Sequence, residues 1–223
     1  MPDRALNRRS LLAATRALAS TDRALARSVE RFGPPPLWSR EPGFATLVHL
    51  ILEQQVSLAS AQAAFDRLEE ALGTITPAAF LRLDDPTLRA IGFSRQKTGY
   101  GRALAAELLD GFDLGALASL DDDMVRHELI RLHGVGRWTA DVYLTMCLLR
   151  PDVWPHGDQA LATAAMEVVD LSARPSWDEL AVIAEAWRPY RAVAARILWH
   201  HYLRARGLPV DRRVSRWPAR SRR

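Results

Sequence analysis

The 223-residue chain has one cysteine, Cys147, so an intrachain disulfide and any cysteine-based metal cluster are excluded. Cys147 sits in the apolar run Tyr143 to Leu149 and reads as a buried, inert thiol. Lysine is equally scarce. Lys97 is the only one, so nearly all the positive charge is arginine. No uninterrupted apolar stretch approaches the roughly 20 residues that a bilayer-spanning helix requires, so no membrane partner is expected. Arg4, Arg8 and Arg9 precede Leu11 to Leu18, but the Ala-Ser-Thr-Asp and Arg-rich continuation has the pattern of an amphipathic helix, not of a signal peptide. A cytoplasmic protein is expected. Alternating, β-branched runs are also scarce, which argues against a sheet.

The chain does contain helical periodicity almost throughout. Segments rich in Ala, Leu, Arg and Glu, with apolar residues three and four apart, predict an all-helical fold. One segment covers residues 10–32 and ends at Gly33-Pro34-Pro35-Pro36, because successive prolines cannot continue a helix. Phe44 to Glu53 forms the next. Ser57 caps another that runs to Leu72, leaving Gln54, Gln55 and Val56 in a short break. Further helices are predicted over Pro77–Leu81, Asp85–Ile91, Gln96–Asp110 and Asp121 or Asp122 to Leu132. After a break at His133-Gly134-Val135-Gly136 the pattern resumes from Arg137 to Leu149 and stops at Pro151. A helix starts near Asp158, and a long last one runs from Trp177 to Arg206, kinked or interrupted by Pro189. The arginine-rich tail 212–223 reads as a solvated basic segment.

A net charge of +4 leans mildly toward phosphate ligands and decides nothing alone. The stretch Leu132-His133-Gly134-Val135-Gly136-Arg137 is more informative. Two glycines around one apolar residue let the backbone turn sharply and bring bare amides close to a ligand. The next helix presents its unpaired N–H groups and dipole at the same place, which suits a phosphate oxygen, with Val135 anchoring the turn in the core. These six residues fit an ordinary tight helix connection equally well.

The wider pattern separates the two. Leu132 to Ala140, followed about twenty residues later by Pro155-His156-Gly157-Asp158, resembles the signature of the helix-hairpin-helix DNA glycosylase superfamily. Within it, the closest pattern is that of the 3-methyladenine DNA glycosylase II family. Ile51-Leu52-Glu53-Gln54-Gln55-Val56-Ser57 and Trp187-Arg188-Pro189-Tyr190-Arg191, running on to Leu198-Trp199, agree in order. The resemblance spans roughly residues 40–205. It implies two helical lobes, 49–152 and 1–48 with 153–223, with Asp158 in the cleft between them. An extra β-rich domain before Phe44 is not expected, and the protein should be a monomer.

The resemblance also implies roles. Asp158 is the catalytic carboxylate. Hydrolysis of an N-glycosidic bond builds positive charge on the deoxyribose, which a carboxylate stabilises while it orients or deprotonates water. By residue chemistry alone, a Gly-Asp before an Ala-rich helix reads first as an N-cap, and both roles are compatible. Asp141, Asp152 and the run Asp121 to Asp123 lack the motif position. Gln55, with Gln54 beside it, matches the wedge that enters the duplex when a base is extruded. Trp138 and Trp199, with Tyr143 and Tyr190 as weaker candidates, match the aromatic pocket that would hold a cationic base. Family members place a tyrosine near the positions of Val142 and Gln159, so the range of accepted lesions stays open. Gly134, Val135, Gly136, Arg137, Arg95 and Lys97 are the candidate phosphate contacts.

Relatives that also nick the strand carry a lysine where Trp138 stands, so monofunctional hydrolysis of alkylated bases in double-stranded DNA is expected. No cofactor is expected. The resemblance allows a monovalent cation at the hairpin carbonyls, but no sequence feature demands a metal. Two alternatives share most of these features: a non-catalytic helix-hairpin-helix DNA-binding protein, and a glycosylase for deaminated or oxidised bases.

Overall fold

A computed structural model of the chain describes residues 5–210, and the arginine-rich tail lies outside them. Among the described residues there are twelve α-helices and no strand. They are α1 (Arg8–Thr21), α2 (Arg23–Phe32), α3 (Phe44–Glu53), α4 (Leu58–Leu72), α5 (Pro77–Leu81), α6 (Asp85–Ile91), α7 (Arg95–Leu109), α8 (Asp122–Arg131), α9 (Arg137–Met146), α10 (Gln159–Val169), α11 (Trp177–Glu185) and α12 (Arg191–Ala205). No helix among them is long and apolar enough to cross a membrane.

Most starts are set by a capping side chain. Ser57, Asp84, Ser94, Asp121 and Ser176 each accept a hydrogen bond from a backbone N–H of the first turn. One segment read as continuous is divided, and another is interrupted where Pro189 was expected to kink or interrupt it. Residues 10–32 break at Asp22, whose Oδ1 accepts from Ala24 N and Leu25 N to cap α2, while its Oδ2 accepts from Trp187 Nε1 at 2.8 Å. The periodicity runs straight through this point; a partner 165 residues away fixes the break. The stretch 177–206 is likewise interrupted over residues 186–190.

The helices form two compact units, Glu41–Tyr143 and Met1–Arg40 with Leu144–Arg223. The first therefore begins at 41, not 49, because α3 is buried along most of its length and packs on α4 and α7. It ends inside α9. Its core includes Leu47, Leu50, Ile51, Leu68, Leu88, Leu104 and Leu129, with Phe80 edge-on to Phe44 and Phe93.

In the other unit α12 packs on α2 and α10, and Trp154 lies 5.5 Å from Trp187 in a core with Leu25, Leu161, Leu180 and Leu198. Arg196, on α12, is fully buried there. It donates to the carbonyl of Ala192 and to two carbonyls outside its own helix, those of Leu37 and Thr145. Burial pushes its pKa down to about 9, which leaves it charged at neutral pH. The guanidinium thus ties the proline-rich segment and the end of α9 to α12. Replacing it, as in Arg196→Met, orphans the Leu37 and Thr145 carbonyls and should cost about 3 kcal/mol of stability. Urea unfolding measures this, and an unchanged midpoint would contradict the role.

Candidate functional site

In the unit Glu41–Tyr143, α8 and α9 are joined by residues 132–136. Val135 is buried and its N–H donates to the Leu132 carbonyl at 3.0 Å, so the apolar residue of the turn points inward as the sequence suggested. Gly134 has φ +89°, and a Cβ there would lie 2.3 Å from Cγ of Tyr100. No side chain fits. Gly136 differs: a Cβ on it meets no heavy atom within 4 Å. The space beside Gly136 and the start of α9 is open, which is the geometry an approaching anion needs.

α7 braces this turn. Tyr100 packs edge-on to His133 at 5.0 Å between centroids, and its hydroxyl accepts from Gln96 at 2.7 Å. On the other side of the turn, Arg126 of α8 donates to the buried carboxylate of Asp141 on α9 at 2.8 Å, closing the helix pair. Arg137 is exposed and lies 3.8 Å from the same carboxylate. Asp141 has no motif position, and its role depends on a partner fifteen residues back.

The break between α3 and α4 joins the same cluster. Gln55 has φ +57° and is exposed. Gln54 does not share that freedom: its amide nitrogen donates to Gly134 O at 3.0 Å and Thr139 Oγ1 at 3.1 Å. It is a strut, which corrects its assignment to the wedge. Lys97 also changes role. Its ammonium donates to the carbonyls of Leu52 at 2.7 Å and Gln54 at 2.9 Å, capping the end of α3 where a phosphate contact was expected. Burial lowers its pKa. Arg95, the first residue of α7, is exposed. Trp138 is half-buried in the first turn of α9. Tyr143 is fully buried, so it packs as core and presents no face to a ligand, contrary to its assignment to the pocket.

In the other unit, Asp158 is the N-cap of α10. Its Oδ1 accepts from Leu161 N at 2.9 Å, and the residue is 8% exposed. The loop before it is held by Asp152, which accepts from Arg191 at 3.0 Å and Arg188 at 2.9 Å. α10 packs on α12, which carries Trp199 in its buried interior, and Tyr190 stands half-buried just before α12. A carboxylate so placed keeps a fixed direction. Among the described residues, no group of three or more His, Cys, Asp or Glu side chains is placed to hold a metal ion.

Residues 48–189, which include the hairpin and Asp158, match the family model of the HhH-GPD superfamily base excision DNA repair proteins. The chain belongs to this superfamily. Among superfamily relatives, it is 27% identical over 162 residues to the "Putative DNA-3-methyladenine glycosylase YfjP" of Bacillus subtilis, covering 69% of this chain and 56% of that protein. It is 29% identical over 126 residues to the "Alkylbase DNA glycosidase-like protein mag2" of Schizosaccharomyces pombe, covering 56% of this chain and 59% of the relative. The chain thus spans under two thirds of the length of both. The solved structure of the Schizosaccharomyces pombe 3-methyladenine DNA glycosylase Mag1 in complex with abasic DNA superposes with a TM-score of 0.75 at 25% identity, over 84% of this chain and 95% of that one. The all-helical fold is the superfamily's fold.

The two hairpin glycines should separate in experiment. Gly134→Ala clashes with Tyr100 and is strained by its φ, so it should lose about 2 kcal/mol or more of stability. Gly136→Ala should leave stability within about 0.5 kcal/mol and weaken duplex DNA binding, because the new methyl occupies only the open side. Thermal melts with a fluorescence-anisotropy titration check both, and equal melting of the two variants would contradict the assignment.

Proposed function

We propose that the protein is a monofunctional DNA glycosylase that removes alkylated bases of the 3-methyladenine and 7-methylguanine type from double-stranded DNA, with Asp158 as its catalytic carboxylate. The observation that carries the reading is Asp158 itself: a buried, hydrogen-bonded carboxylate at the N-terminus of α10, at the motif distance from a glycine hairpin, inside the segment that matches the superfamily. The relatives' names supply the substrate class.

The chemistry fits one carboxylate. In an N3- or N7-alkylated purine the ring already carries a positive charge. When the C1′–N bond breaks, its electron pair neutralises the departing base, so no acid is needed on the leaving group. Positive charge develops on the deoxyribose instead, where a fixed carboxylate stabilises it electrostatically. Water adds to C1′ and gives up a proton, and the product is an abasic site. Asp158 orients that water or accepts its proton.

Three further observations support parts of the reading. Lysine is absent from position 138, and the amine of the chain's only lysine donates to the carbonyls of Leu52 and Gln54, so no lysine is offered for Schiff-base attack on the sugar. Arg137 and Arg95 are exposed in the first turns of α9 and α7, as phosphate contacts should be. Trp138, Trp199 and Tyr190 remain the aromatic surfaces proposed for a cationic base. The hairpin holds phosphate through backbone N–H groups in this account. Leu132 O and Gly134 O accept from Val135 and Gln54, each keeping a second lone pair, and no step is assigned to a monovalent cation there.

Asp158→Asn is the decisive substitution, because asparagine also caps helices and should preserve the fold. With duplexes carrying 3-methyladenine, 7-methylguanine, hypoxanthine or uracil, the native protein should release the methylated bases, and the variant should release them at least about 100-fold more slowly. Equal release by both proteins would remove Asp158 from the mechanism. Strand breakage without added base or lyase would contradict monofunctional action.

A further inference from the structure

We propose that Gln54 is a positioning residue that latches the loop bearing Gln55 to the hairpin, so that gripping the phosphate backbone and driving Gln55 into the duplex are one rigid action. The proposal rests on the reading of the chain as a base-extruding glycosylase. It concerns how two parts of the unit Glu41–Tyr143 are held together.

The loop must turn tightly. α3 ends at Glu53, Gln54 is extended, Gln55 adopts a left-handed φ of +57°, and Ser57 already caps α4. A left-handed residue that is not glycine is disfavoured and persists only where its neighbours impose it. The imposition is visible on both sides of the peptide preceding Gln55. Lys97 fixes the main chain: its ammonium donates to Leu52 O and Gln54 O, satisfying carbonyls that the end of α3 leaves without helical donors. Gln54 fixes the loop to the hairpin through its side chain, donating to Gly134 O at 3.0 Å and to the buried hydroxyl of Thr139 at 3.1 Å. The orientation of that amide follows from its partner, because a backbone carbonyl can only accept and the nitrogen must face it.

Gly134 is in turn closely packed. Its φ is +89°, and Tyr100 fills the space that a Cβ would take. One residue of the hairpin therefore receives the ring of α7 on its Cα and the amide of Gln54 on its oxygen. Phosphate binding at residues 134–137 and the position of the exposed Gln55 are connected through two hydrogen bonds and no flexible segment. The sequence separation of 80 residues between Gln54 and Gly134 conceals this link from any local pattern.

The test is a double-mutant cycle on single-turnover base release with Gln54→Leu, Gln55→Ala and both together. If Gln54 acts through Gln55, Gln54→Leu should slow release roughly five- to tenfold in the native background and have little effect once Gln55 is alanine. Affinity for a lesion-free duplex, which reports the phosphate grip, should not change. Additive losses, or an equal loss of lesion-free affinity, would overturn the latch and leave Gln54 as an ordinary structural residue. Should Gln54→Leu fail to fold, Thr139→Val removes one acceptor of the same amide and carries the identical cycle. Absence of base release by the native protein would overturn the proposed function instead. The cycle read as preference for an abasic over an intact duplex would then still decide the latch.

Discussion

The hydrogen bond from Leu161 N–H to Asp158 Oδ1 ties the start of a helix to the carboxylate proposed to carry the chemistry. The helix terminus presents an N–H donor and the positive end of its dipole to that carboxylate. Structural capping and the proposed transition-state stabilisation call for the same side chain in the same place. The surrounding unit is arranged to keep it there: α10 packs on α12, Asp152 clamps the preceding loop through Arg188 and Arg191, and Arg196 ties two further segments to α12.

In the proposed function the other unit meets a different demand, since holding a polyanion calls for exposed backbone donors on a scaffold that does not yield. Gly136 supplies the open side, and Gly134 supplies a turn that only glycine can make against Tyr100. Rigidity comes from outside the hairpin, through Tyr100 and the Arg126–Asp141 pair. None of these touches the open face. They fix the angle between α8 and α9 and so the direction in which the free amides point.

Much of this was legible in the sequence because its causes are local. Ser57 and Asp121 announce their helices through side chains that bond three residues ahead, and Pro34 to Pro36 and Pro151 stop theirs by removing donors. The hairpin and Asp158 were legible through spacing. What was not legible depends on distant partners. Asp22 breaks a continuous apolar stripe because it must serve both α2 and Trp187. Gln54 and Lys97 were read by residue type as a wedge and a phosphate contact, yet each is engaged by groups 43 to 85 residues away. Tyr143 was placed in a pocket by family position, but its place on α9 is buried. Polar residues of this kind show their role only once the chain has folded around them.

The central claim is that Asp158 stabilises positive charge on the sugar. It is tested most directly by comparing affinities for two duplexes, one with a cationic pyrrolidine in place of the abasic deoxyribose and one with the neutral tetrahydrofuran. The native protein should bind the cationic duplex at least about 100-fold more tightly, as expected for a mimic of the charged transition state, and Asp158→Asn should erase most of that preference. Equal affinity for the two duplexes, or a preference that survives in the variant, would contradict the account.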